Sequence, residues 1–226
     1  MLRCQKLIFW RKDLILKLQR VLILAPHTDD AELGCGGSIA RFIEDQIEVY
    51  VAAFSTAEES LPPGSDPNLL RDEFMQATGL LGIPADHTFV YKYPVRRLSY
   101  HRQEVLEELI RIRRDVAPLT VFLPSGNDFH QDHQVLHVEG VRAFKEITTW
   151  GYDLPWNHVN FSAQAFITLE KRHLDKKWEA LSCYRSQRQL GRSYFSPEFV
   201  ESLARVRGTQ IGAEYAEAFE VMRVRW

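Results

Sequence analysis

The 226-residue chain has little cysteine: Cys4, Cys35 and Cys183, widely spaced and with no CxxC pair. That excludes a disulfide framework and a thiolate zinc knuckle, and it suits a reducing, cytoplasmic setting. Neither sign of charge is in excess, with 28 Lys and Arg against 30 Asp and Glu. The balance offers no electrostatic case for a nucleic-acid partner. No apolar run reaches the roughly 18 residues of a membrane-spanning helix. Internal repeats, low-complexity tracts and linkers are also missing. The opening stretch "MLRCQKLIFWRKDLILKLQR" is broken by Lys6, Arg11, Lys12, Asp13 and Lys17. It therefore lacks the unbroken core and the small-residue cleavage site of a signal peptide. Residues 1–20 read as an amphipathic helical segment docked on the domain or on a partner subunit, ahead of a peripheral membrane contact. That leaves room for subunit contacts in a homo-oligomer.

What is present is a regular alternation of short apolar runs and amphipathic segments. "VLILAP" reads as a strand buried on both faces, followed by helical spacing in "GGSIARFIEDQ". "IEVYVAAFS", "HTFVY" and "TVFLPS" read as further strands. They alternate with helices in "LLRDEFMQATGLLG", "RQEVLEELIRIRRDV" and "HQVLHVEGVRAFKEI". Beyond residue 147 the pattern loosens, with strands expected in "AQAFITL" and "AFEVMRVRW" and a helix in "RHLDKKWEALSCY". The expected fold class is α/β, a Rossmann-like, mostly parallel sheet flanked by helices on both faces, with residues 21–226 as a single domain.

Two polar clusters fall at ends of these strands, where open parallel sheets bind ligands. One is His27, Asp29, Asp30 and Glu32; the other is "SGNDFHQDH", Ser125 to His133. Imidazole and carboxylate are good zinc ligands, and a catalytic zinc takes three protein ligands and leaves one position open. His27 and Asp30 could supply two, and a histidine of "HQDH" the third. Asp29, Asp132 and the other histidine would remain for proton transfer and for stabilising charge on the substrate. Either cluster alone could be a set of helix caps. Their pairing at two strand ends favours metal-assisted hydrolysis. "GCGG" suggests a dinucleotide turn, but its third glycine would have to stand where Ile39 does. Close backbone approach at the helix entry is the better reading. His137, one turn beyond His133, is weighed as an alternative ligand and set behind it.

In "PHTDDAELGCGG" and "HQDHQVLHVEGVRAF" the chain resembles the PIG-L/LmbE-like family of zinc-dependent N-deacetylases. Weaker similarity runs through "RDEFMQATGLLGI", "KKWEALSCYRSQ" and "YAEAFEVMR". Thr28 and Gln131 stand where the family usually has proline. The resemblance implies zinc held by His27, Asp30 and His133. It also implies Asp29 as general base and His130 as the electrophilic or acid group at the amide oxygen, partnered by Asp132. The implied substrate is an N-acetylated amino sugar or glycoconjugate, cleaved to acetate and an amine. Arg71 and Glu73 are the implied substrate contacts, although Leu70 holds the family's usual arginine position. A non-catalytic sugar- or nucleotide-binding module, or a zinc hydrolase of another amide, are the alternatives.

Overall fold

The computed structural model describes residues 19–225, so most of the amphipathic segment expected over 1–20 lies outside the described residues. β1 (Arg20–His27) is an interior strand of the sheet and is apolar on both sides. Val21, Ile23 and Ala25 enter one core, and Leu22 and Leu24 the other. Successive strand residues point to opposite faces, so an unbroken apolar run is what a strand covered on both sides requires.

Six further strands complete the sheet: β2 (Glu48–Ser55), β3 (Thr88–Val90), β4 (Thr120–Pro124), β5 (Thr148–Tyr152), β6 (Ala165–Leu169) and β7 (Tyr215–Arg223). Their order is β3-β2-β1-β4-β5-β7-β6. β1 to β5 run parallel, and β7 is antiparallel to both β5 and β6. The chain moves outward from β1 through β2 to β3, then returns to place β4 on the other side of β1. The β1–β4 pair is therefore the switch point of the sheet, where the two following loops diverge and leave a crevice.

Helices cover both faces. α1 (Asp30–Glu44), α2 (Leu69–Leu81), α5 (Lys171–Leu181) and α7 (Pro197–Thr209) contribute Ile39, Phe74, Leu174 and Val200 to one core. α3 (Arg102–Val116) and α4 (Gln131–Ala143) contribute Leu109 and Leu136 to the other. α6 (Arg185–Arg188) is a single turn. No helix among the described residues is long and apolar enough to cross a membrane.

The structure adds β5 and α7 to the elements read from sequence. β5 has little apolar periodicity to announce it, since "TTWGY" carries a glycine and two threonines. The placing of the glycines is also corrected. α1 begins at Asp30, so Gly34 and Gly37 lie within its first turns rather than ahead of it. A Cβ on Gly34 would stand 2.5 Å from Tyr152 Cδ2, and one on Gly37 would stand 2.5 Å from Leu169 Cδ1. The glycines let the helix lie close against side chains of β5 and β6.

Candidate functional site

The two signatures meet at the carboxyl ends of β1 and β4. His27 closes β1, and Asp29 is the N-cap residue of α1, with Asp30 first in the helix. His130 caps α4, which carries Asp132 and His133 in its first turn. Three donor atoms form a nearly equilateral triangle. His27 Nδ1 lies 3.1 Å from Asp30 Oδ2, His133 Nε2 lies 3.3 Å from the same oxygen, and the two nitrogens are 3.3 Å apart. A tetrahedral zinc with bonds of about 2.0–2.1 Å separates its ligands by roughly 3.3 Å. His27, His130 and His133 also bring donor atoms within 4.8 Å of one another, a looser set. The spacing of the Asp30-containing triangle matches a tetrahedral edge better.

Each histidine of the triangle has a carboxylate behind it. Asp132 Oδ2 is 3.0 Å from His27 Nε2, and Asp128 Oδ2 is 2.7 Å from His133 Nδ1. These contacts put one ring proton on each rear nitrogen, so that in the neutral rings His27 Nδ1 and His133 Nε2 carry the lone pairs. Both carboxylates are anchored in turn. Asp132 accepts the backbone N–H groups of Arg96 and Leu98 at 2.5 and 3.1 Å. Arg96 adopts a left-handed φ of 63° in the turn that delivers its N–H. Asp128 accepts the His130 N–H at 2.8 Å and the Asn157 side-chain amide at 3.3 Å. Asp128 is a functional candidate that sequence reading missed. Its signal was only an aspartate two residues before His130 inside an already polar loop.

The electrostatics are those of a pocket short of positive charge. Burial lowers the pKa of His27, but its bonds to Asp132 and Asp30 outweigh that and raise it to about 9. Burial likewise opposes His133, and the charge of Asp30 with the bond to Asp128 brings it up to about 10. The second proton that these shifts favour falls on the triangle nitrogens facing Asp30, and a dication bound there would take its place.

Asp29 faces a cleft of about 280 Å³ that also reaches His27, Asp30, His130 and His133. Burial and the neighbouring charge of Asp30 push its carboxyl up to about 6. His130 sits over the triangle, its ring centroid 4.8 Å from that of His27 and 4.6 Å from that of His133. Its Nδ1 accepts the Asp132 backbone N–H at 3.2 Å, so the ring proton belongs on Nε2.

Three of the expected residues lie away from their expected partner or from the cleft. The Asp132 carboxylate partners His27, because the turn at residues 96–98 and the His27 ring claim its oxygens; it does not partner His130. His130 is consequently not driven towards its charged form. Burial, followed by the charges of His133 and His27, lowers its pKa to about 4. Arg71 is exposed and reaches Asp72 at 3.6 Å, while Leu70 takes the place in the cleft. Glu73 turns the other way and accepts Ser186 N–H and Oγ–H at 3.0 and 2.6 Å. Glu32, the last member of the first cluster, is fully buried and does not line the cleft. His137 points its Nδ1 at the Pro124 carbonyl, 2.8 Å away, and takes no part in the triangle.

A Rossmann-like α/β domain with a His, Asp and His donor set at its switch point is thus the class that fold and site define. Residues 22–144 match the family model described as PIG-L, GlcNAc-PI de-N-acetylase, and the chain belongs to that family. It is 27% identical over 177 residues to the uncharacterized deacetylase YaiS of Escherichia coli (strain K12), covering 75% of this chain and 92% of that protein. The fold is similar to that of the conserved protein TT1542 from Thermus thermophilus, with a TM-score of 0.78 at 24% identity over 92% of this chain and 97% of the other. It is also similar to that of the N,N'-diacetylchitobiose deacetylase from Pyrococcus horikoshii, with a TM-score of 0.75 at 20% identity over 90% and 84% of the two chains.

Proposed function

We propose that this protein is a zinc-dependent N-deacetylase that removes the acetyl group from an N-acetylated amino sugar or glycoconjugate, as a single catalytic domain over residues 21–226. The observation that carries the reading is the donor triangle of His27, Asp30 and His133 beside the free carboxylate of Asp29. The substrate class rests on the family description and on the name of the P. horikoshii protein.

His27 Nδ1, Asp30 Oδ2 and His133 Nε2 would hold the metal, with Asp132 and Asp128 fixing the two rings. Bound there, zinc supplies a Lewis acid and lowers the pKa of a coordinated water. Asp29 takes a proton from the attacking water and returns it to the departing nitrogen, which leaves as a free amine. His130 donates its Nε2–H to the amide oxygen as negative charge builds there. A neutral imidazole suits that role as a hydrogen-bond donor, and its cap on α4 sets the ring in place before substrate arrives. Within the proposal, His130 is therefore an electrophile more than an acid, and Asp132 is a positioning residue for His27.

The test is an acetate-release screen over N-acetylglucosamine conjugates, with a chelator-treated control. Release that stops on chelation and returns with zinc supports the proposal. No release from any conjugate by the zinc-loaded protein counts against it and favours a non-catalytic binding module.

A further inference from the structure

Arg192 is the arginine that reaches the cleft, and only one of its guanidinium nitrogens is bonded among the described residues. It lies between α6 and α7 and borders the same cleft as Asp29 and His133. Its guanidinium stands 5.8 Å from the Tyr194 ring centroid, and Nη1 donates to Tyr194 Oη at 2.7 Å. Tyr194 is itself braced, stacked on Trp156 with centroids 3.8 Å apart and planes 9° apart. Among the described residues Arg192 has no carboxylate partner, and Nε and Nη2 are unspent. Those two donors form the edge that grips a carboxylate or phosphate with parallel hydrogen bonds.

Three other arginines lie over aromatic rings among the described residues: Arg188, over Trp178, has no acid but lies outside the cleft, and the other two each have an acid partner. Arg207 lies over Phe161 and donates Nε and Nη2 to Asp153 at 3.0 and 2.7 Å. Arg205 lies over Tyr215 and bonds Glu201 at 3.1 Å. Arg192 has the same aromatic seat and faces a ligand cleft where those two face an acid. The other side chains that reach the cleft beyond its acidic end, such as Ser60, Leu70, Gln187 and Asn157, are neutral.

We propose that Arg192 is a specificity residue that binds an oxyanion, carboxylate or phosphate, on the part of the substrate remote from its acetamide. This rests on the reading of the cleft as an N-acetyl sugar site. The substrate is then an anionic N-acetylamino sugar or glycoconjugate, and the Trp156–Tyr194 stack holds the arginine in place to receive it.

Trp156 borders the cleft and supplies the readout. The full-length protein is titrated by tryptophan fluorescence with methyl N-acetylglucosaminide, N-acetylglucosamine 1-phosphate and N-acetylmuramic acid. At least one of the two anionic probes should bind about 10- to 100-fold more tightly than the neutral one, the range for a charge-assisted pair. Arg192→Gln should abolish that ratio. Arg192→Lys should keep part of it, because the charge remains while the fork does not. Comparing the two anionic probes tells phosphate from carboxylate. Equal affinity for all three probes, absence of binding by all three, or a ratio that survives in Arg192→Gln would overturn the inference. Acetate release is scored separately. Its failure with every probe counts against the N-deacetylase reading, and the binding ratio still decides the role of Arg192.

Discussion

At the scale of single residues, the two aspartates that follow Thr28 have different environments despite being neighbours. Asp30 accepts the His27 backbone N–H at 2.9 Å and lies against both imidazoles. Asp29 faces the cleft beside them. Asp29→Asn should therefore leave zinc content unchanged and lower kcat by about 10²- to 10⁴-fold, the usual worth of a general base. Near-normal turnover in that variant, measured by acetate release, would remove the base assignment. Asp128 acts behind the site through His133 Nδ1. Asp128→Asn should weaken zinc binding by about 10- to 100-fold. A chelator-competition titration reads this directly, and an unchanged affinity would show that the ring needs no such brace.

At the scale of elements, α1 has to be held closely because it carries Asp30. Two devices do this. The first is the absence of a side chain at Gly34, where a Cβ would meet the Tyr152 ring at 2.5 Å. Tyr152 donates its hydroxyl to the Leu24 carbonyl at 3.0 Å and cannot readily swing aside. Gly34→Ala should cost about 1–3 kcal/mol in denaturant unfolding, as overpacking does. A cost near zero would mean that α1 can slide on the sheet. The second device is a buried ion pair. Lys177 of α5 donates to the Leu33 carbonyl of α1 and to Glu217 of β7, each at 2.7 Å. Glu217 also accepts the Gly37 and Ser38 backbone N–H groups at 3.0 and 2.7 Å. Lys177→Met strands a buried carboxylate and should cost about 3–5 kcal/mol. Adding Glu217→Gln to that variant should recover part of the loss. If the double variant is no more stable than the single one, the cost comes from lost packing of the lysine stem and not from the stranded charge.

At the scale of the whole molecule, the parallel half of the fold was legible because its signals are local. "VLILAP" and "TVFLPS" have the continuous apolar character that burial on both faces demands, and "RQEVLEELIRIRRDV" keeps its period over the full span of Arg102–Val116. β5 was not legible, because it owes its place to neighbours β4 and β7 rather than to its own residues. The same division holds in the site. His27, Asp29, Asp30, His130, Asp132 and His133 stand together in the sequence as two dense clusters, and the β1–β4 pairing joins them. The carboxylate pairing was not legible, since spacing says that Asp132 follows His130 by two residues but not which ring its side chain meets. Nor could spacing say that Arg71 faces solvent while Arg192, some 120 residues later, borders the cleft.

The central claim, a single zinc held by His27, Asp30 and His133, is tested most directly by titrating zinc into the metal-depleted full-length protein alongside its His133→Ala variant. One tight site per chain that is lost in the variant is the predicted result. No tight site in the parent protein, or stoichiometric zinc retained by His133→Ala, would contradict it.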